Sequence, residues 1–313
     1  MTDIDPVCGD WLSTNQIARF SPFGGATFDG FVKSEGHLFG MVPMLGVIAR
    51  LKERRRQRRK NRGPNPLLGA HGYPVDMSPE NVETIKRVKP FTMTTPERLN
   101  GLCDAVKYIT TAGIEGDIVE CGVWKGGSMM AVAVTLQQLG DHSRKLHLFD
   151  TYTGMSEPSE KDVSFRGEAA RDTLTVHREA DPEFQWCGSA YDEVRANMAS
   201  TLYPMDQVVL VKGMVEETIP HQAPSKIALL RLDTDWYEST RHELEHLFPR
   251  LADGGVLIID DYGHWAGARQ AVDEYIQKNN LAIMLNRLDY TGRIAIKHQA
   301  IKAVACTKKS AAA

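Results

Sequence analysis

Five acidic side chains stand at the ends of apolar runs in this chain. Asp150 closes LHLFD, Asp233 and Asp235 close LLRLDTD, and Asp260 and Asp261 follow VLII. Each run reads as a buried strand, so the five carboxylates collect at one edge of a sheet, the edge where open parallel sheets bind ligands. Adjacent carboxylates repel one another unless a cation neutralises them. Asp233, Asp260 and Asp261 together make a hard oxygen set, suited to Mg2+, with Mn2+ also accommodated, rather than to zinc. Asp235 lies two residues past Asp233, placed to take a proton from a substrate hydroxyl acidified by the metal. Capping competes with these roles: Asp233, Asp235 or Asp261 could each cap a following helix.

A second group of residues suits an adenosyl cofactor. In ECGVWKGGS, Gly122, Gly126 and Gly127 form a GxxxGG turn between a strand and a helix. Glycines permit close backbone approach, and a helix start offers free N–H groups. The spacing is neither that of the dinucleotide fingerprint nor that of the P-loop. Asp150, at the end of the second strand, is placed to accept from both ribose hydroxyls. Glu120 can receive an ammonium group, and Ser128 can meet a carboxylate. Trp124, Thr151 and Gly213 flank these positions and complete the candidate cofactor set. A ribose acceptor beside an ammonium acceptor describes S-adenosylmethionine better than NAD. The combined chemistry is methyl transfer to a hydroxyl.

Alternating elements must position these groups. Strands are expected at 117–121, 145–150, 207–212, 227–232 and 255–260, and helices at 126–139, 190–201, 238–251 and 265–278. Alternation predicts a parallel sheet with right-handed crossovers. A further helix starts after Thr95, with Pro96 at its first position and Glu97 in its first turn. Residues 282–287 and 293–297 flank a turn and predict a terminal antiparallel pair. The polar stretch 151–188 is long enough to be a lid. The expected division is an N-terminal extension, 1–90, and a catalytic domain, 91–313.

The 313 residues carry a net charge of −3, with 42% apolar and 25% charged residues, which gives the whole chain no nucleic-acid character. Five unpaired-looking cysteines and an acidic N-terminus fit a reduced, cytoplasmic setting. The segment 50–62 holds nine Lys or Arg against Glu53. With the apolar stretch before it, 38–62 could make peripheral contact with an anionic membrane; a solvated helix face or an oligomer contact are the alternatives. A homo-oligomer is expected.

The segments ECGVWKGGS, LFDTYTGM, LRLDTDWYEST and LIIDDYGHWAGARQAVDEY together resemble the macrocin O-methyltransferase family over residues 94–297. The resemblance implies a class I methyltransferase fold, Rossmann-like, with a mostly parallel seven-stranded sheet. It also implies S-adenosylmethionine, Mg2+ and methylation of a sugar hydroxyl in a natural product or glycan. The family's metal motif falls on Asp233, Asp260 and Asp261, and its proposed base on Asp235. The acidic arrangement is also similar to that of catechol O-methyltransferase, which keeps a phenol acceptor open. A non-catalytic cofactor-binding or membrane-associated module is the reading from another class. His264 and His177 are substitute bases; His242 and His246 read as surface residues. Trp124, Tyr152, Trp236, Tyr237 and Trp265 flank the site and divide between pocket wall and core.

Overall fold

In the computed structural model, residues 67–298 are described, apart from 70 and 182. The basic run 50–62 lies outside the described residues. The described residues from Met77 on form one compact unit.

Five strands are parallel: β1 (Asp117–Cys121), β2 (Leu146–Asp150), β3 (Val208–Lys212), β4 (Ile227–Leu232) and β5 (Leu251–Ile259). Two short strands, β6 (Asn286–Arg287) and β7 (Arg293–Ile296), complete the sheet. The order is β3-β2-β1-β4-β5-β7-β6, with β7 antiparallel to both β5 and β6. This is the mostly parallel seven-stranded sheet with an antiparallel end that the sequence predicts. Strand order reverses between β1 and β4, and such a switch point opens a crevice at the carboxyl edge.

The strands are near-continuous apolar runs because helices cover both faces. The helices are α1 (Pro79–Val88), α2 (Pro96–Thr111), α3 (Gly127–Gln138), α4 (Ala170–Ala180), α5 (Tyr191–Ala199), α6 (Val215–Thr218), α7 (Tyr237–Leu247) and α8 (Ala266–Lys278). Val119, Cys121, Leu230, Leu232, Leu257 and Ile259 join Leu244, Leu247 and Val272 of α7 and α8 in one apolar cluster. Side chains alternate along a strand, so Glu120 and Arg231 turn to the opposite face. That face is covered by α2, which packs on β4 and β5, and by α3, which packs on α2 and α1. Ten of the twelve residues of α3 are buried, as befits a helix apolar all round. Thr95 caps α2 as expected, its hydroxyl accepting from the Arg98 amide at 3.3 Å.

Three departures have local causes. Helix α1 falls within the expected N-terminal extension, 1–90, for which no helix is expected. Ser78 caps it, Pro79 opens it, and Val82, Ile85 and Val88 are buried along one side. Strand β5 begins at Leu251 rather than 255, because Asp253, Gly254 and Gly255 are drawn into an irregular strand start. The third departure is α4, which lies inside the polar stretch 151–188 and buries only Ala170 and Leu174, too few to give a visible stripe.

The 151–188 segment is tied down by Asp162, which is 1% exposed. Its carboxylate accepts from the Ser159 amide and hydroxyl, both at 2.7 Å, and from the Tyr237 amide at 2.8 Å. That last bond satisfies a free N–H at the start of α7, whose own N-cap residue, Trp236, provides no side-chain cap. A buried donor left unpaired costs about 1–3 kcal/mol. We therefore expect Asp162→Ala to lower unfolding free energy by about 3 kcal/mol in urea titration and to quicken proteolysis within 155–185. A change below about 0.5 kcal/mol, with unaltered cleavage, would deny Asp162 this anchoring role.

Candidate active site

At the cofactor end, Asp150 organises the turn after β1. Its Oδ2 accepts from the amides of Val123 at 2.7 Å and Trp124 at 3.1 Å, while Oδ1 accepts from the Tyr152 amide at 2.7 Å. Burial pushes its carboxyl upward in pKa, and those three amides pull the other way. Trp124 and Tyr152 both have left-handed backbone, at φ 48° and 54°. Asp150 holds these two unusual conformations in place. Its neighbour Thr151 donates to the Gly154 carbonyl, and Gly213 donates its amide to the Asp150 carbonyl at 3.0 Å.

The glycines of the turn are dictated by backbone packing. A Cβ on Gly122, at φ 82°, would lie 2.0 Å from the Asp233 carbonyl oxygen. One on Gly127 would lie 2.5 Å from the Phe91 carbonyl. Gly126, at φ 85°, is the left-handed N-cap of α3. Ser128, in the first turn of α3, is buried with its hydroxyl 3.4 Å from that of Thr94. Glu120 is fully buried; one oxygen is bonded to Arg231 and the other, Oε2, has no partner. Burial pushes its carboxyl up to about 8, against the pull of Arg231.

At the acidic end, Asp233, Asp235 and Asp261 each bring an oxygen within 4.8 Å of the others. The sequence expectation grouped Asp233, Asp260 and Asp261, with Asp235 apart. The difference lies in Asp260: Oδ1 accepts from Arg231 at 2.7 Å, and Oδ2 accepts from Arg98. Asp235 joins the cluster through its backbone, which is left-handed at φ 65°. Neither α7 nor α8 has a side-chain cap from its N-cap residue, and Asp162 serves the start of α7. Asp261 is pushed up to about 7, chiefly by burial and then by the Asp233 charge. Three crowded carboxylates call for positive charge, and an all-oxygen donor set fits a hard divalent cation.

Sequence reasoning missed the cations that order this site. Arg231 is buried near the carboxyl end of β4 and reaches Glu120, Asp233, Asp260 and Thr94. Arg98, on α2, bridges Asp260 and Asp289. The available signal was a lone arginine within the otherwise apolar IALLRL. Glu243 of α7 was also missed: it is buried, accepts from Thr234 at 3.0 Å, and has its carboxyl raised well above the ordinary range by burial.

The histidines and aromatics take varied places. His264 is buried, with Nδ1 3.3 Å from the Tyr290 hydroxyl, and its ring meets Phe165 edge-on at 5.3 Å. His177 stacks on Phe184 within the 151–188 segment. His242 contacts the Ile219 carbonyl at 3.0 Å, and its ring lies 4.4 Å from that of His246. Trp186, Trp236 and Trp265 form a mutually edge-to-face core cluster. No helix among the described residues is long and apolar enough to cross a membrane.

Comparison with known proteins bears on the fold and the family. The O-methyltransferase NovP has a similar fold, with a TM-score of 0.59 and 29% identity over 67% of this chain and 83% of that one. A tetracenomycin-C 4'-O-methyltransferase acting on a dimethoxy-rhamnosyl compound, from Streptomyces olivaceus, is 34% identical over 64% of this chain and 73% of its own length. Mycinamicin III 3''-O-methyltransferase from Micromonospora griseorubida is 30% identical over 64% of this chain and 76% of its own. Residues 80–296 match the family described as Macrocin-O-methyltransferase (TylF). The chain belongs to this family of O-methyltransferases.

Proposed function

We propose that this enzyme transfers a methyl group from S-adenosylmethionine to a hydroxyl of a sugar in a glycosylated natural product or glycan, with a divalent cation, Mg2+ or Mn2+, at the acidic cluster. The observation that carries this reading is the meeting of two walls at the switch point between β1 and β4. Asp150, Glu120 and Ser128 stand on one side, and Asp233, Asp235 and Asp261 on the other. The sugar class is supported by the rhamnosyl acceptor named for the Streptomyces olivaceus relative. The three core tryptophans are at most 4% exposed, so none is free to stack on a flat phenol.

In this reading Glu120 and Ser128 receive the amino-acid end of the methyl donor and Asp150 its ribose. Asp233 and Asp261 would hold the cation. Asp260 can complete the set without giving up its guanidiniums, because a carboxylate oxygen carries a second lone pair. The cation, when bound, lowers the pKa of the acceptor hydroxyl. Asp235 takes the hydroxyl proton. The acceptor oxygen then forms its bond to the methyl carbon as the carbon–sulfur bond breaks, and the thioether leaves with the electron pair. No covalent enzyme intermediate is required, and orientation supplies much of the acceleration.

Turnover of glycosylated acceptors with isotope-labelled S-adenosylmethionine, read by mass spectrometry with Mg2+ or with chelator, tests the proposal. Labelled methyl on a sugar oxygen, lost with chelator, is expected; label only on phenolic acceptors, or turnover indifferent to chelator, would contradict it. Asp150→Ala should weaken S-adenosylmethionine binding by about 1.5–3 kcal/mol, the scale of hydrogen bonds to a charged group. Calorimetry on the folded variant measures this, and unchanged affinity would remove Asp150 from the cofactor wall.

A further inference from the structure

We propose that Arg231 is the positioning residue of this site: it fixes Asp233 and Asp260 for the cation and ties them to the cofactor wall across the β1/β4 switch point. This inference rests on the cation reading above. Arg231 and Glu120 are register partners on the two strands that flank the crevice. Nη1 of Arg231 reaches Glu120 Oε1 at 2.6 Å and Asp233 Oδ2 at 2.7 Å. Nη2 reaches Asp260 Oδ1 at 2.7 Å and the Thr94 hydroxyl at 3.0 Å. Thr94 in turn lies 3.4 Å from the Ser128 hydroxyl. One planar group therefore addresses three carboxylates and the threonine beside the start of α3.

A purely structural role explains this arrangement poorly. The rest of β4 is Ile227, Ala228, Leu229, Leu230 and Leu232, all buried, and a further apolar residue would suit such a strand. Buried ion pairs are in general no more stabilising than well-packed apolar replacements. What the guanidinium adds is geometry. It pairs with both Asp233 and Asp260, so these two carboxylates are held in place before a cation arrives. Asp233 gives one oxygen to Arg231, which leaves the other for the cluster. Arg98 fixes the far oxygen of Asp260 and is itself held by Asp289 at 2.9 Å. Lysine retains the charge but lacks the fork that reaches several acceptors at set angles.

The test uses the full chain and Mn2+ as probe, with free Mn2+ read by electron paramagnetic resonance and folding checked by circular dichroism. Arg231→Lys should weaken Mn2+ binding about 10- to 100-fold, the usual cost of losing a group that orients metal ligands. Should Arg231→Lys fail to fold, the double variant E120Q/R231Q replaces both members of the buried pair by amides and should show the same weakening. A folded variant with lower melting temperature but Mn2+ affinity within twofold of the unmodified protein would make Arg231 structural and overturn the inference. If the unmodified protein itself fails to bind Mn2+, the cation reading falls first, and this inference with it. If it binds and both variants bind equally well, only the role of Arg231 falls.

Discussion

Asp235→Asn should lower kcat by roughly 10²–10⁴-fold, the worth of a positioned general base, while leaving the fold intact. The amide keeps the size of the carboxylate and loses its capacity to take a proton. Two of its neighbours are already engaged by arginines. Asp233 is engaged by Arg231, and Asp260 by Arg231 and Arg98. Asp235 sits in the same cluster, on left-handed backbone at φ 65° and in side-chain hydrogen bonding with Asp261. Metal titration of the variant should give near-normal affinity, and added Mg2+ should not restore turnover. Loss of Asp261, by contrast, should weaken metal binding and be partly rescued by excess Mg2+. Near-normal kcat in folded Asp235→Asn would exclude it as the base and move the search to His264.

Gly122→Ala should be among the most destabilising single changes in the molecule. The left-handed backbone there costs an L-residue about 1–2 kcal/mol. The new Cβ would also press on the Asp233 carbonyl, only 2.0 Å away. Overpacking against a main chain typically adds about 1–3 kcal/mol, so the expected loss is roughly 2–5 kcal/mol in denaturant titration. Because β4 would have to yield, Asp233 should be displaced as well. Activity at temperatures where the variant remains folded should therefore fall. A variant with stability within about 0.5 kcal/mol of the parent and full activity would show that the two strand ends have slack.

The alternation of apolar runs and helix signals was enough to read the sheet, because parallel strands buried on both faces carry their pattern openly. The acidic positions were legible for the same reason: a carboxylate at the end of LHLF or VLII stands out. Which carboxylates meet was not legible. Asp260 differs from Asp261 only in the face to which its side chain turns, and that face holds Arg231 and Arg98, the latter 162 residues away in sequence. The conformation of Asp235 was hidden too, since left-handed backbone at an aspartate leaves no mark in composition. Helix α4 escaped notice because two buried side chains do not make a periodic stripe.

The anchoring of Asp162 bears on how the 151–188 segment could be exchanged. The 151–188 segment reads as a detachable insert, but its carboxylate is the amide partner of Tyr237, and a Cβ on residue 267 would lie 2.1 Å from Asp162 Oδ1. Exchange of this segment between relatives is thus a graft with three parts: the insert, the first turn of α7 and a glycine at 267. A chimera carrying the insert alone would set that segment on a base with no seat for it.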